Sequence, residues 1–205
     1  IVAHATGDAA NRQVIDAVEK VKKKHGMLQG RHQLAHATLI HPDDVNRLKE
    51  LDITAEFSPV IWYPSEFAEA QRAQLGDDRM NRWYPMRSVV SEGGRIALAS
   101  DGPLFWHEPL QLLETAVTRQ VPGGGDEELA PEEGIDLATA IRAITLNSAY
   151  LMIQEDMVGS IEEGKRSDLI VLDKNLFEIP ETEIASARVQ LTIFDGKVVY
   201  DAAED

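Results

Sequence analysis

Two histidines and one aspartate are the side chains of this sequence that could bind a metal ion together. His4 stands near the end of the apolar run 1–5, and His36 lies past the middle of the run 31–40. Asp101 follows a third apolar run. Imidazole and carboxylate groups are ligands of zinc and related divalent ions. Such an ion lowers the pKa of bound water from about 15.7 to about 7, and a nearby carboxylate can carry the proton.

Each of these residues also has a purely structural interpretation. A single histidine on a strand is more often a core or surface residue. Asp101 precedes Gly102 and Pro103, and aspartate is common at such turns and helix caps. A carboxylate at the end of a buried strand nevertheless needs a cation or donors around it. From the residues alone, the metal site and the structural roles both remain open.

The composition excludes several classes of function. The 205 residues carry a net charge of −15, so the protein repels phosphate backbones and nucleic acid is an unexpected partner. Cysteine is absent, which excludes disulfides, thiolate metal sites and a cysteine nucleophile. No apolar run is long enough to span a membrane and no signal peptide is recognisable, so we expect a cytoplasmic protein.

Strands alternate with helices over most of the chain. Strand-like runs begin near residues 1, 32, 53 and 96. Helical patterns fall between and after them, at about 9–25, 42–51, 67–75, 108–119 and 136–150. This order predicts a parallel sheet, in which functional groups gather at the carboxyl ends of the strands.

The pattern changes after residue 156. Three short strands are predicted at 169–172, 189–194 and 197–200, with a hairpin signal at Asp195-Gly196. We therefore predict two units, 1–156 and 157–205, of which the second is a small all-β portion.

The segment 58–87 between two strands is long and rich in aromatic residues. Long segments of this kind are often lids or binding loops, although the aromatic side chains could equally serve only to close the top of the sheet. The candidates for contact with a substrate are Trp62, Tyr63, Arg79, Trp106 and His107.

The remaining histidines have simpler interpretations. His32 precedes His36 by four residues on a strand and is predicted to be a core residue or a support for the site. His25 and His41 stand at helix ends, where a role in capping or in the helix dipole suffices.

Several motifs together resemble the metal-dependent amidohydrolase superfamily, in particular the YtcJ-like branch of amidohydrolase family 3, which includes proteins similar to N-substituted formamide deformylase. The motifs are His4-Ala-Thr-Gly-Asp8, Arg31-His-Gln-Leu-Ala-His36, Leu75-Gly-Asp-Asp-Arg79, Tyr84-Pro-Met-Arg-Ser88, Ser100-Asp-Gly-Pro103, Thr145-Leu-Asn-Ser-Ala149, Gly159-Ser-Ile-Glu-Glu-Gly-Lys165 and Ser167-Asp-Leu-Ile-Val-Leu-Asp173. The resemblance covers essentially the whole chain.

The resemblance implies an α/β fold: the C-terminal half of a (β/α)₈ TIM-type barrel, strands five to eight, beside the C-terminal part of a small β-sandwich. His4 and His36 would be the metal-binding histidines of strands five and six. Asp101 would be the aspartate of strand eight, a metal ligand and the general base. The implied cofactor is a divalent metal, zinc first, with one or two ions in the complete protein, and the implied substrate is a small amide.

The sequence departs from the family pattern in several places. The His-x-His of the first barrel strand and the metal-binding residue of strand four are absent. Ala35 replaces an acidic residue, and Gly102 replaces a frequent tryptophan. We therefore expect a complementing N-terminal half or an oligomer, and no hydrolase activity from these 205 residues alone.

Two alternatives accompany this interpretation. The chain could be a truncated or degenerate module that binds no metal and catalyses nothing. It could also belong to an ester or lactone hydrolase, since attack by metal-bound hydroxide is common to these reactions.

Overall fold

The computed structural model describes residues 1–26, 30–58, 61–102 and 108–204. Its first sheet has four strands that pair in parallel in the order β1-β2-β3-β4. The strands are β1 (Val2–Ala5), β2 (His32–His36), β3 (Ile53–Phe57) and β4 (Ile96–Leu98). The four predicted strands and their parallel arrangement are confirmed.

The second strand is shorter than the predicted run 31–40. It ends at His36 because His36 and Ala37 take left-handed backbone conformations, with φ of 74° and 45°. The chain then continues beside the end of β1, where the Leu39 amide donates to the Thr6 carbonyl at 2.9 Å. The predicted length is therefore wrong, and the turn comes at a candidate metal ligand.

Helices follow the strands as the alternation predicts. They are α1 (Asp8–His25), α2 (Pro42–Glu50), α3 (Glu66–Leu75), α4 (Asp77–Met80), α5 (Met86–Ser91), α6 (Pro109–Thr118), α7 (Leu137–Ile144) and α8 (Leu146–Leu151). Local signals set several of their starts: the Ser65 side chain caps α3, and the Asp136 side chain accepts from the Thr139 amide at 2.8 Å. No helix in the described ranges has the length and apolarity that crossing a membrane requires.

The predicted helix 136–150 is two helices that meet at Thr145, whose φ and ψ are −111° and −89°. Gly159 packs into this break. A Cβ on Gly159 would lie 2.7 Å from the Ala149 Cβ and 2.9 Å from the Leu146 Cα. Gly159, although distant in the chain, can pack closely against this break because glycine has no side chain.

We expect Gly159→Ala to lower the free energy of unfolding by about 2–4 kcal/mol, because its methyl group meets these atoms and its φ of +91° is strained. Gly164→Ala is the matched control, since Gly164 has the same φ of +91° and no atom within 4 Å. The control should lose about 1–3 kcal/mol from backbone strain alone. Urea unfolding measures both, and equal losses would contradict the packing role.

The main core lies between the parallel sheet and its helices. Strand β3 is buried along its whole length. The core cluster combines residues of strands and helices. Its members that are at most 1% exposed include Ile15, Leu34, Leu48, Ile53 and Val89. Burying a side chain of this size contributes about 1.5–3 kcal/mol, so this core is what fixes the positions of the strand ends.

The amino ends of the strands are closed by a cation–π arrangement. The guanidinium groups of Arg31 and Arg95 lie 3.9 Å and 3.7 Å from the centre of the Tyr150 ring. Arg95 also pairs with Asp52 at 2.8 Å, and the Tyr150 hydroxyl donates to Asp52 at 2.9 Å. Residues of α8 are thereby tied to the sheet at the end opposite the candidate site.

The second sheet is antiparallel, in the order β5-β6-β7, with β5 (Leu169–Leu172), β6 (Val189–Phe194) and β7 (Lys197–Asp201). The predicted strands and the hairpin are confirmed, and Asp195 and Gly196 both have positive φ. The boundary near residue 157 stays a prediction.

A buried glutamate on α6 ties the first part of the chain to the second. Glu114 is 0% exposed and accepts hydrogen bonds from the amides of Gly123 at 2.5 Å and Ala185 at 2.6 Å. Ala185 lies in the 3-10 helix Glu181–Ser186 that precedes β6. The carboxylate therefore has two donors, which offsets the cost of its burial.

Candidate metal and active site

A cavity of about 390 Å³ opens at the carboxyl ends of the parallel strands. It is lined by His4, Thr6, His36, Thr38, Ile61, Phe67, Gln71, Trp83, Tyr84 and Asp101. The three predicted metal ligands thus line one cavity. A larger depression of about 640 Å³ lies between α2 and α5 and contains none of them.

The two histidines are neighbours in this cavity. Their ring centres lie 4.3 Å apart at an interplanar angle of 68°. His4 is the penultimate residue of β1 and is exposed. His36 ends the adjacent strand, where its left-handed backbone (φ 74°) departs from the alternation of the strand. The fold brings together two imidazoles that are 32 residues apart in the chain, 36 minus 4.

Hydrogen bonding sets the tautomer of His36. Its Nδ1 lies 3.0 Å from the Ser58 carbonyl oxygen, which can only accept, and 3.2 Å from the Ser58 hydroxyl, so this environment favours the tautomer that is protonated at Nδ1. The Nε2 lone pair is then free for a metal ion. This support by a backbone carbonyl is typical of metal-binding histidines.

Tyr84, which lines the cavity, also supports His36. Its hydroxyl donates to the same Ser58 carbonyl at 3.1 Å. Burial raises the pKa of Tyr84, so the hydroxyl keeps its proton and remains a donor. The side chain packs edge-on against Phe57, Trp62 and Trp83.

A fully buried arginine holds the backbone next to Tyr84. Arg119 donates from Nη2 to the Trp83 carbonyl at 2.6 Å and from Nε to the Leu129 carbonyl at 2.8 Å. Burial lowers the pKa of Arg119 to about 9. Tyr84 has a φ of 52°, so this stretch needs external support to keep its conformation.

We expect Tyr84→Phe to weaken zinc binding by about tenfold, because the Ser58 carbonyl loses the hydroxyl that helps to orient it toward His36. The free energy of unfolding should fall by about 1 kcal/mol. Competition with a chelator and urea unfolding measure the two effects. Tyr200→Phe, on exposed β7, is the control, and unchanged zinc affinity in Tyr84→Phe would show that Tyr84 supports the fold only.

Asp101 lines the cavity together with the two histidines. Its φ is 57°, and Ser100, not Asp101, accepts the hydrogen bond of the Gly102 amide at 3.3 Å. Within residues 1–26, 30–58, 61–102 and 108–204, no group of three or more histidine, cysteine, aspartate or glutamate side chains is arranged to hold a metal ion. The convergence of all three residues on one ion stays a prediction.

The donor chemistry nevertheless fits a divalent ion. Two imidazoles lie side by side, one with its tautomer set for metal binding, and a carboxylate faces the same cavity. This is the ligand set of many catalytic zinc sites.

The predicted substrate contacts are placed less favourably. Trp62 is 0% exposed and lies behind the wall, while Ile61 beside it lines the cavity. Tyr63 and Arg79 do not line the cavity either, and Arg79 lies 3.7 Å from Asp8. Trp106 and His107 lie outside the described residues.

The segment 58–87 does contribute to the cavity, in accord with the predicted binding loop. Its lining residues are Ile61, Phe67, Gln71, Trp83 and Tyr84. The concentration of aromatic residues in the sequence indicated that this segment could be a binding loop. It could not indicate which of its side chains face the cavity.

His32 lies at the amino end of β2, about 13 Å along the strand from His36. Both ring nitrogens are buried without a hydrogen-bond partner in the described part, and burial lowers the pKa of His32. Of its two predicted roles, the core role accords with this position.

The fold is shared with metal-dependent hydrolases. A crystal structure of an uncharacterised metal-dependent hydrolase from Pyrococcus furiosus matches 85% of this chain with a TM-score of 0.65 and 25% identity. The matched part is 33% of that protein. The chain thus shares its α/β fold with a protein described as a metal-dependent hydrolase.

The chain belongs to the amidohydrolase family, whose model matches residues 1–200. It is 29% identical over 199 residues to N-substituted formamide deformylase of Arthrobacter pascens, covering 97% of this chain and 36% of that protein. It is also 30% identical over 201 residues to the protein LONG AFTER FAR-RED 3 of Arabidopsis thaliana, covering 98% of this chain and 34% of that protein. The chain therefore spans about a third of these relatives, and the predicted resemblance is confirmed.

Proposed function

We propose that the complete protein is a zinc-dependent hydrolase of small amide-type substrates, and that this chain supplies the metal-binding histidines and the general base. The observation that carries the proposal is the His4–His36 pair, with ring centres 4.3 Å apart, in a cavity that Asp101 also lines. N-substituted formamide deformylase, by its name, acts on a C–N bond, and it is among the similar proteins.

The roles of the residues follow from their positions. His4, His36 and Asp101 would hold the ion, which when bound supplies a water of pKa about 7. Asp101 takes the proton from the attacking water as a C–O bond forms at the amide carbon. It then returns the proton to the nitrogen as the C–N bond breaks. Trp83 and Tyr84 shield one wall of the cavity from solvent.

We further propose that the four strands are strands five to eight of an eight-stranded barrel. In the described part, β1 and β4 each pair with one neighbour only. Val2 and His4, on one face of β1, are exposed. The matched relatives are about three times longer than this chain. An N-terminal half would cover the open face and supply the remaining ligands.

The antiparallel sheet also has an uncovered apolar surface. Ile170, Phe194, Val198 and Tyr200 are between 40% and 60% exposed. Further strands of a small β-sandwich, or a second copy of the chain in an oligomer, would bury these side chains.

The test compares this 205-residue chain with the protein encoded by its complete open reading frame. Both are assayed with formamides, N-acyl amines, esters and lactones, with added zinc and after chelation. We expect amide hydrolysis by the complete protein only, and its loss on chelation. Faster hydrolysis of esters or lactones would support the other reaction class, and the lack of both metal and activity would support a non-catalytic module.

A further inference from the structure

Glu56 is a buried carboxylate whose bonding within the chain is incomplete. It lies on β3 and is 8% exposed. Its Oε2 accepts from the Gln33 side-chain amide at 3.0 Å, but its Oε1 is buried and has no hydrogen-bond partner in the described part of the chain. A buried acceptor left in this state costs free energy, so Oε1 requires a donor.

The register places Glu56 on the same face of the sheet as the candidate metal ligand His4. His4 pairs with Ala35, and Ala35 pairs with Glu56. Residues paired across parallel strands point to the same side, so the three form one row about 10 Å long. Ala35, half-buried in the middle of the row, contributes only a methyl group. Ala35 and Glu56 do not line the cavity themselves, and within the row only this methyl group lies between His4 and Glu56.

Glu56 also lies within electrostatic reach of the cavity wall. Burial is the main cause of the raised pKa of Tyr84, and the negative charges of Asp101 and Glu56 both add to it. The charges of Asp101, the proposed general base, and of Glu56 therefore both act on the hydroxyl of Tyr84, a residue that lines the cavity.

Among the residues that the structure describes, no charged group supplies the missing donor. Arg95 lies two residues before Ala97, the β4 partner of Glu56, but its guanidinium is bonded to Asp52 at 2.8 Å and stacks on Tyr150 at the opposite end of the strands. A carboxylate can only accept, so the complement of Oε1 is an N–H donor, and a cationic one binds it most strongly.

We propose that Glu56 is a specificity-determining residue that binds an ammonium or N–H group of the substrate, several bonds away from the amide that is cleaved. This rests on the proposed function for the cleavage step. The substrate class is then an N-acyl or N-formyl amine that carries a second amino group.

The experiment uses the complete protein and two compounds of equal shape, N-acetylputrescine and N-pentylacetamide, which differ by an ammonium in place of a methyl group. We expect the unmodified protein to prefer N-acetylputrescine by about tenfold or more in kcat/KM. Glu56→Gln should bring this preference within about threefold of unity and leave kcat/KM for N-pentylacetamide within about threefold. Glu56→Asp should retain part of the preference, and Glu50→Gln, at an exposed carboxylate, all of it.

A binding measurement separates failure of this proposal from failure of the proposed reaction. Butylammonium chloride should raise the thermal midpoint of the unmodified protein more than of Glu56→Gln, while butanol should affect both equally. This result supports the subsite even when neither amide is hydrolysed. The proposal is overturned by an unchanged substrate preference in Glu56→Gln, by loss of zinc in that variant, or by equal effects of butylammonium on both proteins.

Discussion

Replacing His36 with alanine lowers kcat/KM of the complete protein toward a formamide by about a thousandfold or more, and lowers its zinc content. A bound metal ion contributes several kcal/mol to transition-state stabilisation, and each 1.4 kcal/mol corresponds to about tenfold in rate. His36 is the proposed ligand whose Nδ1 hydrogen bond to the Ser58 carbonyl leaves the Nε2 lone pair available. The His36→Ala variant therefore keeps only the His4 imidazole of the pair.

The control is His25→Ala, because His25 is exposed at the end of α1 and does not line the cavity. Zinc is measured by metal analysis of the purified proteins, and circular dichroism checks that both variants fold. A His36→Ala protein that keeps full zinc and more than a tenth of the activity would remove this residue from the ligand set.

Asp101→Asn is expected to lower kcat by about 10²–10⁴ while retaining much of the metal. Asparagine has the size of aspartate and can still offer an oxygen, but it cannot take the proton of the attacking water. The change therefore separates proton transfer from metal binding at Asp101, the carboxylate that lines the cavity with the histidines among the described residues.

Steady-state kinetics and metal analysis measure this prediction together, with Asp126→Asn in the exposed segment after α6 as the control. Loss of metal in parallel with activity would make Asp101 a ligand without a demonstrated role as base. An unchanged kcat would favour the alternative that Asp101 serves the turn before Gly102.

The sequence predicted the parts of this protein that depend on local patterns. The four parallel strands follow from short apolar runs that alternate with amphipathic helices, and the β6–β7 hairpin follows from Asp195-Gly196. The histidine pair was also predictable, because carboxyl ends of neighbouring parallel strands must meet at one edge of the sheet. The amidohydrolase motifs of the sequence indicate the same family as the family model that matches residues 1–200.

Only the tertiary structure decided features that depend on contacts between distant residues. The end of β2 at His36 depends on pairing with the end of β1, and the break at Thr145 coincides with the close approach of Gly159. Packing also placed Trp62 behind the wall and Ile61 on it. Glu56 could not be recognised from the sequence, because a single glutamate in a strand normally points to solvent. Its burial, its oxygen without a partner among the described residues and its row with His4 arise only when β1, β2 and β3 pair.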